Sequence, residues 1–333
     1  MPGVAVIGVG HWGKNHARVY KELRSECVVD EVRICDVDRA RALELAKTLG
    51  LQDVCEYQEL LADSKIQAVS IVTPSKTHYR IARECMEAGK DVLVEKPLTM
   101  DVGEAEKLVD IAGRTSRILM VGHIFRYHPA VQELRRIIGG GELGKIQMMV
   151  SNRETFGLPR RDMGVIYALG IHELDMFCYL MGVDYPRSVT AVASTIYSRD
   201  IEETVMLAVD FGEVKGYAFE SWLVPGHEKR RDLLVIGSGM SARVDYLEPQ
   251  QLRLFDSRIV TDEGAPVSIE EKGERVVSIP FAEPLKEELR QFIACVNSRQ
   301  EPLADGPAGV RAVVMAEAVL ASAGTGKAVP LPA

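Results

Sequence analysis

The sequence predicts an α/β protein in two parts. The first is an N-terminal doubly wound parallel sheet of the Rossmann type. The second is a C-terminal α+β domain built on a large, mostly antiparallel open sheet. Three observations predict it. Through residue 123, short apolar runs alternate with helical patterns. From Arg187 to Pro280 the pattern becomes β-branched and aromatic, with glycine-containing turns. A length of 333 residues suits two domains rather than one. The expected boundaries are 1–123 and 124–333, with the last helices able to pack back on the first domain.

The elements follow in order. Val4–Gly8, Val32–Cys35, Ala68–Val72, Val92–Val94 and Ile118–Val121 read as buried parallel strands. Helices fall between them at Asn15–Leu23, Arg39–Leu49, Tyr79–Glu87 and Gly103–Ala112. Strands apolar on both faces need helices on both sides of the sheet. Tyr127–Ile138 reads as an amphipathic helix ended by Gly139-Gly140-Gly141, because glycine accepts a left-handed cap. Lys145–Arg153 reads as a strand and Val165–Leu180 as a helix. Ser188–Ile196, Thr204–Phe211, Val214–Trp222, Leu233–Ile236 and Ala242–Tyr246 read as an antiparallel sheet. Helices return at Pro284–Val296 and Gly309–Ala323. Val205, Leu207 and Val209 alternate to give the sheet a buried face. Helices are available to cover one side of it, so the other side calls for a partner subunit and a homodimer or homotetramer is expected.

Composition narrows the partners. Forty basic against 48 acidic residues leave a net charge of −8, which opposes a nucleic-acid or anionic-membrane surface. No apolar run of about 20 residues stands out as a membrane span, and MPGVAVIGVG reads as a buried strand rather than a signal peptide. Cys27, Cys35, Cys55, Cys85, Cys178 and Cys295 form no C-x-x-C pair. Reduced thiols in a cytoplasmic protein are expected.

Gly8-Val9-Gly10-His11-Trp12-Gly13 is a G-x-G-x-x-G between an apolar strand and a helix, the context a dinucleotide fingerprint requires. Gly8 allows the tight turn, Gly10 lets the backbone approach a pyrophosphate, and Gly13 permits close helix–strand packing. His11 and Trp12 lie in the same loop. Asp36 ends the second strand, where a carboxylate accepts from ribose hydroxyls and repels a 2′-phosphate, favouring NAD over NADP. Arg39 and Arg41 weigh the other way. Thr73-Pro74 follows the third strand and either lines the cofactor crevice or is a simple loop. Glu95-Lys96-Pro97 follows the fourth, where Lys96 can hold a substrate hydroxyl and lower its pKa.

With Gly8–Gly13, Glu95-Lys96-Pro97, Gly122–Pro129 (GHIFRYHP) and Gly170–Asp175 (GIHELD) in this order and spacing, the chain resembles the Gfo/Idh/MocA family of sugar and inositol oxidoreductases. The resemblance implies an NAD-dependent dehydrogenase acting on a secondary hydroxyl of a sugar or nucleotide sugar. Within the family, the GHIFRYHPAV segment is most similar to the branch that oxidises UDP-N-acetylglucosamine at C3. A free sugar or inositol is the alternative substrate. A non-catalytic NAD-binding sensor is a further reading, opposed by the presence of both Lys96 and His172. The resemblance makes Lys96 and His172 catalytic: Lys96 binds the reacting hydroxyl, and His172 takes its proton. It adds Glu95 to the cofactor site, and Arg126, Tyr127, His128 and Tyr167 to the substrate site. Family members often carry aspartate four residues before the histidine; here Ala168 stands there. Asp175 can approach His172 by i,i+3 geometry, although its family counterpart is structural. His172 also fits a core position among Leu169, Phe177 and Leu180. His123, His128 and His172 lack zinc-ligand spacing, so no metal is expected. Lys229-Arg230-Arg231, Arg153, Arg160 and Arg161 could hold a substrate diphosphate, or stand on solvated turns.

Overall fold

A computed structural model describes residues 1–51, 54–226 and 229–332. The chain forms two compact units, Met1–Ile124 with Glu283–Val313, and Phe125–Ala282 with Val314–Ala333.

The first unit holds strands β1 (Gly3–Ile7), β2 (Val32–Cys35), β3 (Ile66–Ile71), β4 (Asp91–Val94) and β5 (Leu119–Val121), all parallel, in the order β2-β1-β3-β4-β5. The strand order reverses between β1 and β3, the topological switch point where ligands of such sheets bind. Helices α1 (Gly13–Ser25), α2 (Arg39–Leu49), α3 (Tyr57–Ala62), α4 (His78–Glu87) and α5 (Val102–Thr115) connect the strands. Helix α1 is amphipathic: Ala17, Tyr20 and Leu23 are fully buried, and each large apolar side chain so placed contributes roughly 1.5–3 kcal/mol. Asp38 caps α2 by accepting from the Arg41 amide, and left-handed Gly50 ends it.

In the second unit α6 (Pro129–Gly139) precedes β6 (Ile146–Thr155). A π turn, Ile166–Gly170, then leads into α7 (Ile171–Met181). The strands are β7 (Ser188–Ser194), β8 (Thr204–Asp210), β9 (Lys215–Ser221), β10 (Lys229–Gly237), β11 (Ser241–Asp245), β12 (Gln251–Asp262), β13 (Ala265–Ser278) and β14 (Val329–Pro330). With β6 they make a nine-stranded sheet, β13-β12-β11-β10-β6-β9-β8-β7-β14, in which, among the described residues, β6 and β9 run parallel and the other neighbours antiparallel. Val205, Leu207 and Val209 are buried on one face, as their alternation predicts, whereas Val192, Met206 and Tyr217 on the other are 72, 62 and 43% exposed.

Several elements depart from the sequence reading. Helix α6 begins at Pro129 because a residue before proline is pushed out of the helical region; Ile124–Tyr127 is a separate 3-10 turn, and His128 is extended. The left-handed glycine after α6 is Gly141, while Gly140 stays helical. The long hairpin β12–β13 is not among the strands named within Arg187–Pro280; Leu252 and Leu254 alternate at its start, but most of its residues, and nearly all of β13, are exposed. Not a departure is the place of helix α8 (Pro284–Ser298) and the first turns of α9 (Gly306–Thr325), which belong to the first unit. By length and composition α9 is apolar enough to cross a membrane, which the reading of apolar runs passed over; Ala312, Val313, Met315, Ala316 and Val319 are buried within the protein.

Candidate active site

The fingerprint loop closes over the end of β1. Gly8 has φ +89°, and a Cβ there would lie 2.8 Å from Thr73 Cγ2 and from the Val72 carbonyl oxygen. Gly13 tolerates no side chain, since its Cβ would fall 1.9 Å from the Gly8 carbonyl oxygen. At Gly10 a Cβ would meet nothing within 4 Å. Packing therefore explains the first and third glycines, and the open approach at Gly10 fits a diphosphate against the backbone. The first turn of α1 carries no acidic residue and no side-chain cap. Its amides and the helix dipole suit an anion. His11 is exposed, and so is Trp12.

Asp36 sits at the end of β2 with its carboxylate turned into the loop. Oδ2 accepts from the Val9 amide at 2.7 Å, and Oδ1 from the Asp38 amide at 2.8 Å. Arg41 lies 3.9 Å away and also pairs with Asp38, while Arg39 is bonded to Glu56. Both arginines thus have acidic partners within their own unit.

The turns after β3 and β4 are joined by His78, which the sequence reading missed. Its Nδ1 lies 2.8 Å from the Pro97 carbonyl and its Nε2 3.0 Å from the Thr73 carbonyl. Burial lowers its pKa, against the pull of the two carbonyls. Glu95 holds the fingerprint loop: its carboxylate accepts from Trp12 Nε1 at 2.7 Å and lies 3.0 Å from His16 Nε2. Burial acts to raise the Glu95 pKa, but His16, Lys96 and Trp12 outweigh it and hold it below the usual value. Gly122 is small because Glu95 lies there; a Cβ would sit 3.0 Å from that carboxyl group. The Lys96 amide donates to Glu95 Oε2 at 3.2 Å. Glu95 thus ties the loop of Gly8–Gly13 to the backbone of Lys96.

In the second unit, His172 stands in the first turn of α7, directly after the π turn, and is 9% exposed. Its ring meets Phe125 edge-on at 4.8 Å. Two buried ion pairs hold its helix. Arg126 donates twice to Asp175, and Arg153 binds Glu173, which also accepts from Ser151 Oγ at 2.6 Å. The guanidinium of Arg153 lies over the rings of Phe125 at 4.4 Å and Tyr246 at 5.1 Å. Tyr127, His128 and Tyr167 are buried. Burial pushes the His128 pKa down to about 4.

The residues weighed for anion binding separate. Arg153 is buried against Glu173, so it is no solvated turn. Arg160 pairs with Asp162, and Arg230 with Glu154 and Asp232. Among residues the sequence reading did not single out, Glu202 accepts from the Ile166 amide at 3.0 Å, placing a carboxylate at the start of the π turn that holds Ala168. Glu173 itself was legible only as part of GIHELD. Among the described residues, no cluster of histidine, cysteine, aspartate and glutamate could hold a metal ion.

The model of the oxidoreductase family with an NAD-binding Rossmann fold, Gfo/Idh/MocA, matches residues 3–123, and the model of its C-terminal domain matches 131–243. The UDP-N-acetylglucosamine 3-dehydrogenase of Acidithiobacillus ferrooxidans is 31% identical over 313 residues, 93% of this chain and 94% of that one. The chain belongs to the Gfo/Idh/MocA family. It is an NAD-dependent oxidoreductase of the CH–OH class. A solved structure of the A. ferrooxidans enzyme superposes with a TM-score of 0.82 at 30% identity, covering 96% of each chain. Other matches are named for different substrates. The inositol 2-dehydrogenase of Rhizobium meliloti is 26% identical over 95% of both chains. A levoglucosan dehydrogenase solved with NADH and levoglucosan shares the fold, with a TM-score of 0.87 at 21% identity.

Proposed function

We propose that this enzyme oxidises UDP-N-acetylglucosamine at C3, giving the 3-keto sugar nucleotide and NADH. The likeness to the A. ferrooxidans enzyme, which runs nearly the whole length of both chains, carries the reading. Gly8, Gly10 and Gly13 with the start of α1 hold the diphosphate of the cofactor, Asp36 holds its ribose, and the Thr73-Pro74 turn lines its crevice. NAD held there would supply the acceptor for the hydride of the carbinol carbon. The Lys96 ammonium holds the reacting oxygen and stabilises it as the proton leaves. His172 takes that proton, a task suited to imidazole because its ordinary pKa of about 6.5 lies near neutrality. Tyr127, His128 and Tyr167 shape the sugar pocket, and Arg126 holds Asp175 so that α7 presents His172.

A free sugar or inositol is the second reading, favoured by the inositol dehydrogenases among the relatives. The two separate in one assay. NADH formation is followed with UDP-N-acetylglucosamine, N-acetylglucosamine and myo-inositol. The highest kcat/KM is expected for the sugar nucleotide; a higher value for myo-inositol overturns the first reading.

We further propose a cytoplasmic homodimer or homotetramer. Val192, Met206 and Tyr217 lie on one exposed face of the nine-stranded sheet, and a second copy of that face is the cover with matching chemistry.

A further inference from the structure

We propose that Arg231 is the anchor for the substrate's phosphate, the residue that makes this enzyme select a sugar nucleotide over a neutral sugar. The inference rests on the reading above and adds the residue that carries the choice.

Four side chains stand in a row across the sheet. Glu220 on β9 is opposite Arg153 on β6, and Arg153 is opposite Arg231 on β10. The Tyr246 amide donates to the Arg231 carbonyl at 2.8 Å, placing Tyr246 next. Alternation puts all four on one face. Arg231 shares its side of β10 with buried Leu233 and Val235, Arg153 its side of β6 with buried Ser151 and Met149, and Tyr246 follows buried Ala242 and Val244. That is the face on which α7 lies, since Ser151 bonds Glu173 and a Cβ on Gly216 would strike Phe177.

The two arginines of this row differ in their contacts: Arg153 is held by carboxylates and, among the described residues, Arg231 is not. Glu173 is engaged by Arg153 and Ser151. Glu220 is fully buried, neither carboxyl oxygen has a hydrogen bond, and Oε2 lies 4.0 Å from Arg153 Nε; burial and the nearby Glu173 raise its pKa well above the usual carboxylate range. Arg231 is half-buried, and among the described residues no hydrogen bond or ion pair holds its guanidinium. Burial and Arg153 push its pKa down to about 10, which still leaves it cationic at neutral pH. A second unmet group lies beside it. Tyr246 is 7% exposed, and its hydroxyl has no partner. Removing a cation from water without a partner is costly, and a pair of unanswered donors side by side is the arrangement that an oxyanion completes.

Position selects which oxyanion. His172 touches Phe125, Phe125 lies under Arg153, and Arg153 neighbours Arg231. In a sugar nucleotide, the sugar ring separates the C3 hydroxyl from the phosphate on the anomeric carbon. Two residues, Phe125 and Arg153, separate His172 from Arg231 in this chain of contacts. The other basic residues weighed for this task fit it less well: Arg153, Arg160 and Arg230 have acidic partners, and Arg161 and Lys229 are exposed.

The test uses NADH-saturated enzyme, so that the dinucleotide site is filled, and titrates UDP and inorganic pyrophosphate by calorimetry. Wild type should bind both. Arg231→Gln should weaken them roughly 10–100-fold, the loss expected for a charge-assisted bond. Arg231→Lys should fall between, because it keeps the charge and loses the planar fork. NADH affinity should not change. Equal UDP affinity in wild type and both variants overturns the inference while leaving a sugar-nucleotide substrate standing. Pyrophosphate binding that depends on Arg231, with no binding of UDP, keeps the anion anchor and overturns the nucleotide reading. No binding of either probe to wild type overturns both. If Arg231→Gln does not fold, Arg231→Lys still decides, since unchanged UDP affinity together with a lowered Tm identifies a purely structural residue.

Discussion

Arg126 and Asp175 form a buried, two-pronged ion pair, Nε to Oδ2 at 3.0 Å and Nη2 to Oδ1 at 2.6 Å, one helical turn from His172. Breaking such a pair from one side leaves an uncompensated buried charge, at a cost of about 3–5 kcal/mol. Asp175→Ala should therefore lower the unfolding free energy by about that amount, measured by urea denaturation. An unchanged midpoint would show that the pair contributes nothing to holding α7.

His172→Ala should lose about 10²–10⁴-fold in kcat, the usual worth of a positioned general base. Lys96→Met should lose a comparable amount, because it removes the charge and keeps much of the bulk. NADH affinity, read by fluorescence titration, should hold in both, since Gly8–Gly13 and Asp36 are untouched. Near-normal turnover in His172→Ala would mean another group takes the proton.

Asp36 should set the cofactor preference. Its carboxylate already accepts from the Val9 and Asp38 amides, which fixes it at the end of β2. Wild type should favour NAD over NADP in kcat/KM, and Asp36→Ala should narrow that ratio. A ratio unmoved by the substitution would remove Asp36 from the ribose site.

His128 should make stability fall in acid. Its pKa in the folded protein is pushed down to about 4 by burial, below the roughly 6.5 of an unfolded histidine. Between those values the unfolded chain binds the extra proton, so stability rises with pH. The contribution is complete above about pH 6.5 and is lost progressively as pH falls toward 4, by up to about 3 kcal/mol. His128→Gln should flatten Tm against pH across this window. An unaltered slope would assign the acid sensitivity elsewhere, with His78 the next group to test.

Light scattering should find a dimer or larger at micromolar concentration. Met206→Glu, on the exposed sheet face, should shift the population toward monomer. A monomeric wild type would leave the face without its cover.

The first unit was legible because its signals are local. Its strands are mostly apolar and buried, and Gly8, Gly10, Gly13 and Asp36 fall at fixed places on one strand–turn–helix–strand unit. Lys96 and His172 could be named only through whole motifs, since a lysine before a proline and a histidine on an apolar helix say little by themselves. The partners that hold them were hidden for a different reason. Glu95 meets His16 and Trp12 across 79 and 83 residues, and Arg153 meets Glu173 across 20, pairings that only the tertiary fold creates. Arg153 and Arg231 look alike in sequence and share one face of the sheet; the carboxylate that binds Arg153 separates them.

The two ends of the nine-stranded sheet differ in a way that bears on assembly. One ends in β14, two residues long and closing on Pro330, which has no amide to offer a further strand. The other ends in β13, where Glu270, Glu271, Lys272, Glu274 and Arg275 crowd around a left-handed Gly273, and the pairing with β12 shifts register nearby. A copy approaching edge to edge would meet a missing donor at one rim, and a kink and crowded charge at the other. The sheet is thereby protected from indefinite lateral growth, and its apolar surface can be offered flat to a single mate without seeding fibres.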